Sequence, residues 1–227
     1  KAEGAGVSYD SAQEVWTARY QAETIALAFS LTEEAIEDNL YDKLSTRYTK
    51  ALARSMSHTK NTKGAAILNN GFDSNYTGGD GVELMGIHTL LDGSTIQNEP
   101  STASDLNETA LENAIIDIAK FTDERGLKIA VQAKSLCIPT DLQFVAERIL
   151  NSTGRVATAD NDLNALNATG ALPGGYKVNH FLTQSDDWFV MTDAPNGLKH
   201  MKRVGIKTGM EGDFETGNVR FKARERY

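Results

Sequence analysis

Ile36, Leu40, Leu44, Tyr48, Leu52 and Met56 stand four residues apart. That spacing lays one apolar stripe along a helix, and it predicts a helix over 31–58. Ser30 and Glu33 fit a capping box, in which two side chains satisfy orphan backbone donors. Acids crowd the start (Glu33, Glu34, Glu37, Asp38, Asp42) and bases the end (Lys43, Arg47, Lys50, Arg54, Lys60). This order complements the helix dipole, each well-placed charge contributing up to about 1 kcal/mol. At 1.5 Å per residue the helix is about 42 Å long. A compact domain with a radius of gyration of about 13 Å is only about 26 Å across. Such a helix reads as a strut, although a long surface helix has the same pattern.

Other segments arrange themselves around this helix. In residues 1–29, Val7, Tyr9, Val15, Trp16, Tyr20, Ile25, Leu27 and Phe29 fall at loosely alternating positions after Gly4 and Gly6. The alternation predicts an extended arm. With no turn to fold it back, the arm must pair elsewhere in this chain or with another copy. A helix over Ala12–Ala28 is the competing assignment. Residues 61–104 carry glycines at 64, 71, 78, 79, 81, 86 and 93 and read as loop, with a helical turn at Ala65–Asn69. A second helix is predicted over 105–126, capped by Asp105 and Glu108, with Leu111, Ile115 and Ile118 inward and Gly126 as left-handed cap. A strand over Leu127–Ile138 ends at Pro139. A third helix runs from Thr140 to Leu150 with Leu142, Val145, Ala146 and Ile149 inward, and 152–174 read as polar turns. Strand runs follow at Tyr176–Leu182, Trp188–Met191, Leu198–Thr208 and Val219–Tyr227, with 209–212 separating the last two. Helices followed by antiparallel strands predict an α+β fold.

The composition excludes several classes of protein. The chain has 227 residues, 40% hydrophobic and 24% charged, which is globular rather than disordered. One Cys cannot form an intramolecular disulfide. No apolar run approaches the ~20 residues of a membrane span, and no signal-peptide pattern opens the chain. Net charge −8 and pI near 5.1 argue against a general nucleic-acid binder. Residues 198–227 hold eight basic groups against four acidic ones, +4, which leaves −12 for residues 1–197. Such asymmetry suits two surfaces that meet when copies associate, while a solvated strand face accounts for each charge singly.

Chemistry finds no anchor. His58, His88, His180 and His200 are scattered. Glu83, His88 and Asp92 lack metal-ligand spacing. Asp160, Asp162 and Asn164 alternate like a calcium loop, but Ala165 and Ala171 replace its Gly and bidentate Glu, so an Asx-rich turn is the better account. Thr77-Gly78-Gly79-Asp80-Gly81 lacks the Lys-Ser/Thr ending of a phosphate loop. Cys137 reads as a buried thiol. No Gly-x-Ser-x-Gly elbow occurs. No catalytic, cofactor-binding or metal-binding residue is nominated, and the expectation is a non-enzyme.

In order along the chain, Arg19-Tyr20, the helix at Leu31–His58, Gly71-Phe72, Gly79-Asp80-Gly81, Asp105-Leu106 with Ala110-Leu111-Glu112, Ile138-Pro139, Ala146–Leu150, Asn161–Asn164, Asp187-Trp188-Phe189, Asp213–Thr216 and Glu225-Arg226-Tyr227 form a familiar series. It resembles the major capsid proteins of tailed double-stranded DNA bacteriophages, which have the Hong Kong 97-type fold. The resemblance implies an extended E-loop segment over 1–30, a peripheral domain with its spine helix over 31–100, an axial domain over 101–205 and peripheral return strands over 206–227. It implies a head protein that self-assembles into pentamers and hexamers of an icosahedral shell, formed in the host bacterial cytoplasm and residing in the virion. Double-stranded DNA is enclosed without specific binding. The partners implied are copies of itself, with portal, scaffold and decoration proteins, and no membrane or cofactor. Relatives have an N-terminal arm and outgoing E-loop strand before the equivalent of Lys1, and continue past the equivalent of Tyr227. Trp16, Arg19, Tyr20, Arg224 and Arg226 are the expected inter-subunit contacts. Two alternatives stay open: a bacterial nanocompartment shell of the same fold, and a metal-dependent enzyme using His88 with Asp92 or Glu83.

Overall fold

A computed structural model describes residues 16–38, 41–123, 125–155, 162–195 and 197–227. Residues 16–23 have no regular structure. Strand β1 (Thr24–Leu31) follows, so the competing helix over 12–28 is wrong from Thr24 onward. The arm's alternating residues at 7, 9 and 15 lie outside the described residues. β1 finds its partner in this chain. It pairs antiparallel with β8 (Val219–Arg226), from Thr24↔Arg226 to Leu31↔Val219. β8 pairs on its other side with β7 (Val204–Gly212), giving the order β1-β8-β7. Residues 209–212 therefore lie inside a strand, and the turn is at 213–218.

The predicted helix is present but moved at both ends. Ser30 is committed to the sheet opposite Arg220, so the next hydroxyl takes the cap. Thr32 is extended and its side chain accepts from Ala35 N at 3.4 Å. Helix α1 (Glu33–Glu37) ends at Asp38, and α2 runs Tyr41–Asn69. Leu40 and the Leu44 side chain fall outside the described residues. The downstream end lies beyond 58: Lys60 and Gly64 interrupt the apolar stripe, but it resumes at Leu68, which packs on Cys137 and Phe189. The expected turn at 65–69 is the last turn of α2. Twenty-nine residues make α2 about 43 Å long.

α2 touches two separate sheets. Leu52 and Met56 pack on Ala223, with Ile25 and Phe29 beside them. Phe29 stacks on Phe221 at 4.9 Å between centroids. Strand alternation turns Phe221, Ala223 and Glu225 toward this helix. Glu225 is buried, and Lys60 Nζ donates to it at 2.6 Å. A buried carboxylate without such a partner costs several kcal/mol. At the other end, Leu68 meets Cys137 and Phe189. Asn69 donates to the Phe181 carbonyl and accepts from Thr183 N, both at 3.1 Å.

The second sheet has the order β5-β4-β6, built from β4 (Ala133–Ile138), β5 (Tyr176–Val178) and β6 (Phe189–Thr192). β4 runs parallel to β5 and antiparallel to β6, which corrects the all-antiparallel expectation. Helices carry the chain between β4 and β5, and such a crossover permits parallel pairing. They are a 3-10 turn (Thr140–Leu142), α4 (Gln143–Asn151) and α5 (Ala165–Thr169). α5 replaces part of the expected loop. Its cap Asn164 is 2% exposed, accepts from Leu166 N at 3.0 Å and donates to Ile149 O at 2.6 Å. Gly174 passes so close to β4 that a Cβ there would lie 2.8 Å from the Lys134 carbonyl oxygen. Helix α3 (Glu108–Ala119) is capped by Asn107 rather than Asp105, ends before Gly126, and buries Leu111 and Ile118. The largest core joins these to Leu136, Ile138, Ala146 and Ile149. A small hairpin, β2 (Ile87–Thr89) with β3 (Thr95–Gln97), lies between α2 and α3. The strands over 127–138, 176–182 and 198–208 are shorter or later than expected.

Lys60→Met strands Glu225 among apolar neighbours. It lowers stability by about 2 kcal/mol, less than the loss for a fully buried pair because Lys60 is part exposed. Lys60→Met/Glu225→Leu recovers most of that loss in urea unfolding; a double variant no more stable than the single one contradicts this role for the pair.

Candidate functional site

The His88, Asp92 and Cys137 side chains weighed for chemistry have other engagements. His88 Nδ1 lies 2.5 Å from Asp80 Oδ2, not against Glu83 or Asp92. Asp80 was not among the sequence candidates. The hydrogen bond from His88 is the largest of the influences that hold its carboxyl below the ordinary value. Asp92 accepts from Ser94 N and Oγ within its own turn. Among the described residues no group of three or more His, Cys, Asp or Glu is placed to hold a metal. Cys137 is buried, and burial pushes its thiol up, away from the reactive thiolate. His58 packs edge-on against Phe181, and His200 lies tilted against Tyr227. One cleft, about 550 Å³, lies beside Leu106, Val145 and Ile149. Its Glu108 is taken up by Arg155 at 3.3 Å.

The outer surface is more distinctive. Trp16 is 50% and Tyr20 75% exposed, with Arg19 exposed between them. Their segment lies against the glycine-rich loop: a Cβ on Gly79 would sit 3.6 Å from the Ala18 Cβ. The segment is tied down at its end, where Glu23 pairs with Lys63 and exchanges backbone bonds with Tyr227 at 2.9 and 3.2 Å. Arg224 is exposed on β8, and Arg226 is partly buried with its Nε enclosed and without a hydrogen-bond partner. The five expected contact residues thus occupy two segments, the arm and β8.

Sequence reasoning passed over two features here. Arg220 and Lys222 continue the outward row of Arg224 and Arg226, as the alternation over 219–226 already showed. The turn between β7 and β8 carries Phe214 fully exposed. Gly217, at φ +67°, lets that turn close, and its N–H donates to Asp213 O at 2.9 Å. Thr216 Oγ1 donates to the Asp213 carboxylate at 2.8 Å, and Arg220 pairs with it.

Residues 14–227 match the family model described as phage capsid protein. The chain belongs to that family. Membership implies self-assembly into a shell and residence in the virion. A search of the curated proteins gave no match. No helix among the described residues is long and apolar enough to cross a membrane.

Acid is expected to loosen the turn holding Phe214. The Thr216 hydroxyl first, and Arg220 after it, hold the Asp213 carboxyl below its ordinary value of 3.8. A carboxyl lowered in the folded state supports the turn above its ordinary value and loses that support as pH falls through the lowered one. The Gly217 amide resonance therefore shifts in acid below pH 3.8, and Asp213→Asn abolishes the step. A Gly217 transition unchanged in Asp213→Asn contradicts this.

Proposed function

We propose that this capsid protein is the major head protein of a tailed phage, packing as pentamers and hexamers of an icosahedral shell around double-stranded DNA. The family match over residues 14–227 carries the proposal. The α+β fold supports it. A helix of 29 residues spanning two sheets fits the spine helix of a Hong Kong 97-type subunit. On this assignment α1, α2 and the hairpin (31–100) with the return strands (206–227) form the peripheral domain. Residues 101–205 form the axial domain, and residues 1–30 form the extended E-loop segment, whose last part lies in β1. The net charge of −8 suits a wall that encloses DNA without gripping it. Portal, scaffold and decoration proteins, and assembly in the bacterial cytoplasm, complete the proposal.

In this setting the arm is an inter-subunit element. Trp16 and Tyr20 offer aromatic area of the kind that anchors interfaces, and Arg19 adds a charge. An arm deletion has to spare β1, since all eight of its residues pair with β8. Deleting residues 1–20 leaves the far-ultraviolet dichroism and melting of the subunit unchanged but prevents shell closure. Cryo-electron microscopy checks the outcome: the full chain forms closed particles and the deletion does not. A full chain that stays monomeric under assembly conditions overturns the proposal, and closed particles from the deletion overturn the arm's role.

A further inference from the structure

β8 presents Arg220, Lys222, Arg224 and Arg226 at alternate positions on the sheet face away from α2. Alternate residues of a strand recur about every 6.8 Å. Their neighbours on β1 are Ser30, Ala28, Ala26 and Thr24, and on β7 Glu211 stands opposite Arg220, Gly209 opposite Lys222, Lys207 opposite Arg224 and Val204 opposite Arg226. The β1 side of the row is therefore low, with only small side chains beside the cations. Arg220 is neutralised by Asp213. Lys222, Arg224 and Arg226 have no ion pair among the described residues, and Arg226 Nε is buried without an acceptor. Like charges opposite one another, as at Lys207 and Arg224, destabilise a sheet. In the isolated subunit this face carries repulsion that an anionic partner would relieve.

The complementary surface lies on the same chain. Glu34, Glu37 and Asp38 are exposed on α1 and its cap, with no ion pair among the described residues. Glu33 differs, because its carboxylate lies over Gly217. Residues four apart on a helix are separated by about 6 Å along the axis, close to the cation repeat on β8. α1 follows Leu31, which pairs with Val219, so the cations recede from it along β8: Lys222 stands opposite Ala28, about 10 Å from Leu31 along the strand, and Arg226 opposite Thr24, about 24 Å away.

We propose that α1 of one copy docks on the β8 cation face of a second copy, Glu34, Glu37 and Asp38 meeting Lys222, Arg224 and Arg226. The inference rests on the capsid reading and names the partner surface for β8. The contact is head-to-tail: each subunit offers its acids to one neighbour and its cations to another. Contacts of this type close into rings when the rotation allows. Two exposed charge sets also steer encounter and weaken as salt screens them.

Charge reversal tests it on the full chain, with particles counted by electron microscopy and subunit folding checked by thermal melting. Neither Lys222→Glu/Arg224→Glu nor Glu34→Lys/Asp38→Lys lowers the melting temperature, and each abolishes particles. All four substitutions together restore them. Particles that survive either reversal alone overturn the pairing, as does failure of the four-fold variant to assemble while the unaltered chain does. Unaltered assembly with loss of retained DNA in Lys222→Glu/Arg224→Glu instead assigns the face to nucleic acid and overturns the pairing. An unaltered chain that forms no particles is the distinct failure of the capsid reading itself.

Discussion

The subunit depends on one helix meeting two sheets. α2 fixes the β1-β8-β7 sheet at Leu52, Met56 and Lys60, and reaches the β5-β4-β6 sheet through Leu68 and Asn69. Each contact is modest alone. Backbone hydrogen bonds along the helix couple them, because bending α2 breaks bonds whose loss nothing else offsets. The Lys60–Glu225 pair is the most exacting of these contacts. It places a charge in the apolar stripe of α2 and another on the inward face of β8, so neither residue suits its position without the other.

The same strand alternation that builds this contact also builds the outer surface. Phe221, Ala223 and Glu225 turn inward, so Arg220, Lys222, Arg224 and Arg226 turn outward. The positive excess near the end of the chain thus becomes one face rather than a scatter of charges. Glu34, Glu37 and Asp38 stand exposed on α1 and its cap, directly after β1. Among the described residues, titratable groups such as His88 with Asp80 secure loops and turns.

Much of this was legible in the amino-acid sequence. The four-residue spacing in α2, the apolar faces of α3 and α4, and the alternation of β8 are periodic signals, and periodicity survives tertiary context. Misplaced boundaries had local causes. Ser30 looked like a cap, but pairing with β8 extends the strand past it and leaves Thr32 to cap α1. α2 seemed to stop at 58 because Lys60 and Gly64 interrupt its stripe, although a residue 165 positions away makes Lys60 fit. The parallel pairing of β4 with β5 left no local mark, since it is set by the helical crossover between them. Short α5 was hidden in polar sequence because Asn164 stabilises it through a buried cap. The cation row Arg220, Lys222, Arg224 and Arg226 is marked by the alternation over 219–226, whereas its small neighbours on β1 are set by long-range pairing.

Coupling of the two sheets through α2 is open to a direct distance measurement. Spin labels on cysteines introduced at Lys222 of β8 and Asp141 beside β4, with Cys137 replaced by alanine, report the separation by double electron–electron resonance. A subunit braced by α2 gives one narrow distance distribution, and it broadens when Lys60→Met loosens the helix from β8. A broad or bimodal distribution in the parent, or one indifferent to Lys60→Met, would show that α2 does not hold the two sheets as a single tile.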